Sequence, residues 1–299
     1  MSTLPRHPPV TTVCQVYFAP YAAQDARVIP LPGRENEVLL AVFTLPHPTN
    51  SVMPGVALVV RRPSSDPFGD VFFGSPWRLH PPEWPDFSGR EKNWSPFVHN
   101  GSVLFIKSIN PLTVVGVKDW KEIIGDAANA TLVVKEDVPG RPVPTYVVSA
   151  APLVPGTIDW GHGHMRGGTQ ALLVGGAYYL SFFHTATHLK GSSYTTYFMG
   201  AYAFTRDSPF SLLAVSRYPI VDDSLYTGPW NTRFTNRMID YVVFPMHFYL
   251  RGAWLHLTVG HQDASGKLLS LLLDDVVRGM RNVSDTWDAL KHTQLDTHT

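Results

Sequence analysis

A polar cluster followed by a tight turn and an apolar strand recurs along this chain, and this recurrence limits the folds it can form. The best-marked copy begins with Arg90-Glu-Lys-Asn93, continues through the turn His99-Asn-Gly-Ser102 and ends in an apolar stretch at 103–109. Asn-Gly between apolar runs is the strongest short signal for a β-hairpin. This copy therefore predicts a polar group presented at the end of a buried strand.

Three weaker copies of the same unit occur elsewhere in the chain. Their turns are Pro32-Gly33, Gly175-Gly176 and Arg251-Gly252, each followed by an apolar stretch. Units about 60 to 85 residues apart predict the blades of a β-propeller, whose strand ends meet around a common centre. An ordinary β-sandwich with hairpins is the alternative that this pattern leaves open.

The repeats also divide the chain into parts. The proline-rich residues 1–13 are expected to form a tail, 14–275 the propeller domain, and 276–299 a C-terminal helix and tail. Helical spacing of apolar residues at 274–290 predicts a short helix on the outside of the domain.

Composition excludes several classes of partner. The 24 basic and 24 acidic side chains cancel, so no basic surplus favours nucleic acid or an anionic membrane surface. No apolar run approaches the ~20 residues of a membrane span. The single cysteine, Cys14, allows neither an internal disulfide nor a cysteine-based zinc site.

The cellular compartment stays open at this stage. The first ten residues have no apolar core of the kind a signal peptide needs, which favours a cytoplasmic protein. Four glycosylation sequons, at Asn93, Asn100, Asn129 and Asn282, would matter only in a secretory lumen.

Asp25 is the candidate general acid. It precedes the first strand of a blade and stands two residues before Arg27. Cleavage of a glycosidic bond needs one protonated carboxyl group beside the leaving oxygen. The alternative reading is an Asp that caps a turn and pairs with Arg27.

Three cations occupy equivalent points of three blades: Arg27, Lys92 and Arg166. If the blades are radial, these cations converge on one channel, which suits phosphate or another anionic group. The alternative is that each forms an ion pair on a separate surface, with Glu91 an obvious partner for either Arg90 or Lys92.

The histidines raise the question of a metal. The pairs His162/His164 and His184/His188 lack the acidic partner of a zinc motif, so no metal and no other cofactor is predicted. Histidines are expected instead to donate hydrogen bonds to sugar hydroxyls or phosphate. Asp263 either holds a sugar hydroxyl or is a turn residue.

Several short motifs occur in a fixed order and resemble a known family. They are Asp25-Ala-Arg27, Glu91-Lys-Asn-Trp-Ser-Pro-Phe97, Ser108-Ile-Asn-Pro111, Arg166-Gly-Gly-Thr169, Phe183-His184, Val243-Phe-Pro245 and Gly260-His-Gln-Asp263. Over residues 14–275 this order resembles glycoside hydrolase family 130 and its relatives, the β-mannoside phosphorylases and β-mannosyltransferases. The resemblance implies a five-bladed β-propeller. Only four blades are readable here, so the first blade is expected to be incomplete or poorly marked.

The resemblance also implies roles for individual residues. Asp25 matches the general acid of a Glu-Asp-Pro-Arg motif, although Gln24 and Ala26 replace its Glu and Pro. The residues expected to bind sugar or phosphate are Arg27, Lys92, Asn93, Arg166, His184, His261 and Asp263.

The implied activity is inverting phosphorolysis or mannosyl transfer, so the expected partners are a carbohydrate and inorganic phosphate or a sugar phosphate. Two alternatives remain. A hydrolase would use a second carboxylate, with Glu91 and Asp263 as candidates, whereas a carbohydrate-binding propeller would have no catalysis. The sequence does not define the oligomeric state.

Overall fold

The computed structural model describes eight stretches of the chain. They are residues 24–46, 52–62, 70–81, 92–130, 141–151, 160–189, 195–227 and 239–291. The predicted tail at 1–13 and Glu91 lie outside the described residues.

The first two groups of strands share one hydrogen-bonded sheet. We call the first group blade I: β1 (Gln24–Pro30), β2 (Val38–Pro46), β3 (Val52–Arg62), β4 (Asp70–Phe73) and β5 (Trp77–His80). Blade II follows: β6 (Ser95–His99), β7 (Ser102–Ile109), β8 (Leu112–Val117) and β9 (Arg141–Ala150). Neighbouring strands within each blade are antiparallel, and the two blades are joined where β5 runs parallel to β9. A short helix, α1 (Trp120–Gly125), follows β8.

The other two groups form separate sheets. Blade III contains β10 (Arg166–Gly167), β11 (Leu172–Val174), β12 (Tyr178–His188), β13 (Thr195–Thr205), β14 (Leu212–Ser216) and β15 (Ile239–Tyr241). Blade IV contains β16 (Val243–Arg251), β17 (Trp254–His261) and β18 (Ser265–Leu272).

The innermost strands contact one another in a ring. Strand β1 packs against both β6 and β16, β7 packs against β10, and β16 packs against β12 and β13. This is the all-β propeller arrangement that the sequence predicts. Four blades are recognisable among the described strands, which agrees with the four readable in the sequence.

The C-terminal region departs from the single helix predicted at 274–290. Two short helices, α2 (Leu273–Arg278) and α3 (Trp287–Leu290), flank a strand, β19 (Met280–Asn282). Strand β19 pairs antiparallel with β14 and so extends blade III. The open edge of β14 supplies backbone hydrogen-bond partners, which outweigh the local helical preference of three residues. Within the described ranges, no helix is long and apolar enough to cross a membrane.

The predicted hairpin turns are confirmed. Asn100 and Gly101 both have positive φ angles, 48° and 74°, as a two-residue hairpin turn of type I′ requires. The turn connects β6 to β7 with His99 opposite Ser102. The Asn-Gly pair therefore sets the register that places the residues before β6 at the inner end of blade II.

Aromatic side chains fill the space between blades II and III. Phe97 on β6 is fully buried, and its ring meets those of Tyr179, Phe204 and Phe210 edge-on at centroid distances of 4.9, 5.4 and 5.4 Å. Edge-to-face pairs of this kind add stability beyond the burial of apolar area. Phe97 is therefore an anchor between the two blades.

Phe97→Ala should lower the free energy of unfolding by about 3 to 5 kcal/mol, because it removes a large buried ring and leaves a cavity. Val98→Ala on the same strand is the matched control, since Val98 is 37 % exposed and should cost less than about 1 kcal/mol. Urea denaturation of both variants measures the difference. Equal losses would show that the Phe97 ring does not anchor the interface.

Candidate active site

Four non-glycine residues of the quoted motifs have a left-handed backbone conformation. Asp25, Asn93, Gln262 and Asp263 have φ angles of 58°, 65°, 55° and 50°. This conformation is uncommon outside glycine and costs about 1 to 3 kcal/mol per residue, so it is typical of functional positions where the surrounding structure imposes it. Gln262 and Asp263 lie in the turn between β17 and β18, where this conformation is ordinary turn geometry. Asp25 and Asn93, at the starts of blades I and II, therefore support treating this end of the propeller as the candidate site.

Arg27 lies inside the protein and uses its donors on backbone carbonyls. The side chain is 2 % exposed. Its Nη1 donates to the carbonyl oxygen of Asp25 at 2.8 Å, its Nη2 to that of Gly167 at 3.1 Å, and its Nε to that of Gly168. Burial lowers the pKa of Arg27 to about 10, so the group remains charged at neutral pH. Arg27 therefore fixes the candidate acid of blade I against blade III.

The Gly167-Gly168 segment lies where the four blades meet. A Cβ atom on Gly167 would collide with the carbonyl oxygen of Asn93 and lie 2.6 Å from Oγ of Ser95. A Cβ atom on Gly168 would lie 2.6 Å from the carbonyl oxygen of Phe182 and 2.7 Å from Cγ of Pro245. Only glycine allows these approaches from blades II, III and IV.

Thr169 and Gln170, which follow this segment, form hydrogen bonds to two different strands. Thr169 Oγ1 accepts a hydrogen bond from the Phe182 amide at 3.0 Å, and Gln170 Nε2 donates to the carbonyl oxygen of Phe248 at 2.5 Å. Both side chains are buried. Arg166-Gly-Gly-Thr169 is therefore a rigid centre for the site and not a mobile loop.

His184 is directly opposite Arg166 in the β10–β12 pair. It is 2 % exposed, and its Nδ1 lies 3.1 Å from the carbonyl oxygen of Gly167. The ring stacks on Tyr197 at a centroid distance of 5.9 Å and an angle of 7°, and it meets Phe244 at 4.5 Å. Burial, followed by the positive charges of Arg27, Arg166 and Lys92, holds the pKa of His184 well below its ordinary value.

The three predicted cations therefore have a common neighbour. Lys92 and Arg166 are exposed, whereas Arg27 is enclosed by the carbonyl groups that it binds. An anionic ligand at this end of the propeller would meet Lys92 and Arg166, while Arg27 lies behind them and orders the backbone. The sequence predicts the same role for the three cations, whereas the structure shows that Arg27 is buried and that Lys92 and Arg166 are exposed.

The remaining predicted residues lie on blades II and IV. Asn93 is 4 % exposed, and its carbonyl oxygen faces Gly167. His261 is 2 % exposed, with Nδ1 3.2 Å from Ser265 Oγ, and burial followed by Lys267 lowers its pKa. Asp263 is exposed in the turn between β17 and β18. The participation of His261 and Asp263 in one site with the cations stays a prediction.

Two aromatic residues beside His184 were missed in the sequence. Phe244 contacts the His184 ring and also lies 5.4 Å from the Arg27 guanidinium, a cation–π contact. The ring of Tyr197 stacks on the His184 ring. Phe244 belongs to the quoted Val-Phe-Pro motif, so its position was indicated but not its partners.

Within the described ranges, no three His, Cys, Asp or Glu side chains are grouped so that they could hold a metal ion.

Comparisons with known proteins were made by sequence and by structure. No protein-family model and no curated protein matches the sequence. In structure, the chain is similar to the β-1,2-mannobiose phosphorylase of Listeria innocua in complex with β-1,2-mannobiose, with a TM-score of 0.50 and 19 % identity over 86 % of this chain. The match covers 60 % of the phosphorylase, so this chain spans less than two thirds of that protein's length.

Two further structures have lower scores. A glycosyl hydrolase from Bacteroides ovatus has a TM-score of 0.44 and 12 % identity, over 84 % of this chain and 65 % of that one. A structure from the family 130 mannoside phosphorylases, a family that contains glycoside hydrolases targeting β-1,2 mannosidic linkages in Candida mannan, has a TM-score of 0.46 and 10 % identity over 84 % and 65 %. The conclusion depends on the Listeria innocua enzyme alone. The chain has a β-propeller fold like that of glycoside hydrolase family 130.

Gly167→Ala should lower the free energy of unfolding by about 1 to 3 kcal/mol, because the added methyl group meets the backbone of Asn93 and blade II must shift. Gly161→Ala is the control, since a Cβ atom there has no neighbour within 4 Å. Thermal and urea denaturation measure both. If the two variants are equally stable, blades II and III do not meet as closely as described.

Proposed function

We propose that this protein is a carbohydrate-active enzyme that makes or breaks glycosidic bonds with inversion, by phosphorolysis of a mannoside or by mannosyl transfer. One observation supports the proposal: Arg27 hydrogen-bonds to the carbonyl groups of Asp25 and Gly167, beside the buried His184 on which the positive charges of Lys92 and Arg166 act. The likeness in fold to a β-1,2-mannobiose phosphorylase supports the choice of substrate class.

The roles follow from the charges. Lys92 and Arg166 bind and orient the phosphate, or the acceptor in the transfer reaction, through charge-assisted hydrogen bonds. In phosphorolysis a phosphate oxygen attacks the anomeric carbon, the glycosidic carbon–oxygen bond breaks, and Asp25 gives its proton to the departing oxygen. The products are a sugar 1-phosphate and a shortened saccharide, and the Asp25 carboxylate regains a proton before the next turnover.

Phosphate as the nucleophile is consistent with two exposed cations, Lys92 and Arg166, and one candidate acid, Asp25. An anionic nucleophile needs cations that position it, and it needs no second carboxylate. A hydrolase would need a base for water at about 6.5 to 9.5 Å from the acid. Asp263 is the described candidate for that base because it is exposed and held in a left-handed backbone conformation. Hydrolysis through Asp263 is therefore the second candidate function.

Asp25→Asn should reduce phosphorolysis or transfer by about 10²- to 10⁴-fold, because an amide keeps the shape of the side chain but cannot act as a general acid. Sugar affinity should change far less. Steady-state kinetics with β-mannosides and phosphate, and with mannose 1-phosphate, measure the effect. Asp207→Asn is the control, since the Asp207 side chain is 77 % exposed in the connection between β13 and β14.

An Asp25→Asn enzyme that is as fast as the parent would show that Asp25 is a turn residue only. A parent that binds sugars without turnover would be a carbohydrate-binding propeller.

Lys92→Ala and Arg166→Ala should each raise KM for phosphate by about 10- to 100-fold, because a hydrogen bond to a charged group is worth about 1.5 to 3 kcal/mol. KM for the sugar should change less. Lys121→Ala is the matched control, since it removes an exposed cation from α1 on the outside of blade II. Equal KM values for phosphate in all three variants would contradict an anion site at Lys92 and Arg166.

A further inference from the structure

Strand β18 is the last strand of blade IV, and it pairs with β17 alone among the described strands. The pairing runs along the whole of β18 with no bulge. The other edge of such a strand presents a row of N–H and C=O groups that can pair with a further strand. An edge of this kind is a template for association.

The backbone groups of β18 alternate between its two edges. The Leu273 amide donates to the carbonyl oxygen of Ala253 at 3.0 Å, so the odd-numbered residues of β18 bond to β17. The N–H and C=O groups of the even-numbered residues therefore face the outer edge: Gly266, Leu268, Ser270 and Leu272.

Strand β18 lacks the features that usually protect an edge, which are charged side chains, proline and bulges. Its one charged residue is Lys267, whose Nζ donates to the carbonyl oxygen of Ser224 and is thereby held against another part of the chain. Leu268 and Leu272 are 44 % and 38 % exposed, and Trp254, opposite Leu272 on β17, is 47 % exposed. The edge and the face beside it are therefore apolar and accessible.

We propose that β18 is a dimerisation strand, which pairs antiparallel with β18 of a second copy of this chain. The side chains at its outward-facing positions are uncharged, so the strand can lie against itself without repulsion. The 24 basic and 24 acidic side chains of the chain cancel, so no net charge opposes the approach of two copies. This inference does not depend on the proposed function.

A two-fold axis at Leu269 uses every outward-facing group of the strand. Gly266 then lies opposite Leu272 of the second copy. Leu268 lies opposite Ser270 in the same way, and each pair exchanges two hydrogen bonds. The exposed leucines of both copies become diagonal neighbours on one face, where side chains of this length make contact.

This pairing leaves both candidate sites open. Phe244, which contacts the His184 ring, lies opposite Gly260, next to the turn between β17 and β18. The candidate site is therefore at the turn end of β18. Because the two copies of β18 run in opposite directions, the two sites lie at opposite ends of the shared sheet.

Sedimentation velocity of the full chain across about 1 to 200 µM tests the association. A strand edge is smaller than the standard interface of about 800 Å² per partner, so we expect a dissociation constant of about 1 to 100 µM. Ser270→Pro removes an outward-facing N–H group and leaves the bonds to β17 intact, so we expect dimer affinity to fall by about 10-fold or more. Ser270→Ala is the matched control. It also removes the hydroxyl group that lies 3.0 Å from Nδ1 of His256, but it keeps the N–H group and should dimerise like the parent.

Cysteine cross-linking tests the register without proline. In a chain that carries Cys14→Ser, Leu269→Cys places two thiols opposite each other at the two-fold axis, within reach of a disulfide. We expect oxidation to give a covalent dimer. Leu271→Cys is the control on the same face, because it lies opposite Lys267 of the second copy and should form far less covalent dimer. Circular dichroism establishes that each variant is folded.

Three results would overturn the inference: a parent that is monomeric at the highest concentration, a folded Ser270→Pro variant that dimerises like Ser270→Ala, or equal cross-linking at Leu269→Cys and Leu271→Cys. Hydrogen exchange identifies another occupant. Protection of the Leu268 and Ser270 amides that rises with protein concentration supports the dimer. Protection that is the same at every concentration would mean that another segment of the same chain covers the edge, and would also overturn the inference.

Discussion

The hydrogen bonds between the Arg27 guanidinium and the carbonyl groups of Gly167 and Gly168 connect blade I to blade III at the candidate site. A buried charge is costly unless its donors are satisfied, and here three backbone carbonyls satisfy them. One of these carbonyls belongs to Asp25. The position of the candidate acid and that of Arg166, next to Gly167, are therefore set by the same side chain.

The absence of side chains at Gly167 and Gly168 makes this connection possible. Backbone atoms of Asn93 and Phe182 and the ring of Pro245 approach the two glycines from different blades. These contacts position blades II, III and IV against the same short segment, and the hydrogen bonds of Arg27 add blade I. The left-handed backbone of Asp25 and Asn93 is the local cost of this close approach.

Electrostatics then separates structural cations from those that can meet a ligand. Arg27 is enclosed, whereas Lys92 and Arg166 are exposed, and the charges of all three act on His184. Burial, followed by these positive charges, lowers the pKa of His184, and the exposed cations also make this end of the propeller attractive to anions. The proposed displacement of a sugar by an anion rests on these two exposed cations beside a buried imidazole.

The sequence by itself determined the fold class and the hairpin turns, because these follow from local backbone preferences repeated in each blade. Asn100-Gly101 specifies its turn without any distant partner. The tertiary structure alone decided that Arg27 is enclosed, since it and Gly168 are 141 positions apart. It also decided that Met280–Asn282 joins β14 as a strand. These outcomes depend on which carbonyl groups and strand edges lie nearby in space, and local sequence patterns do not predict such distant neighbours.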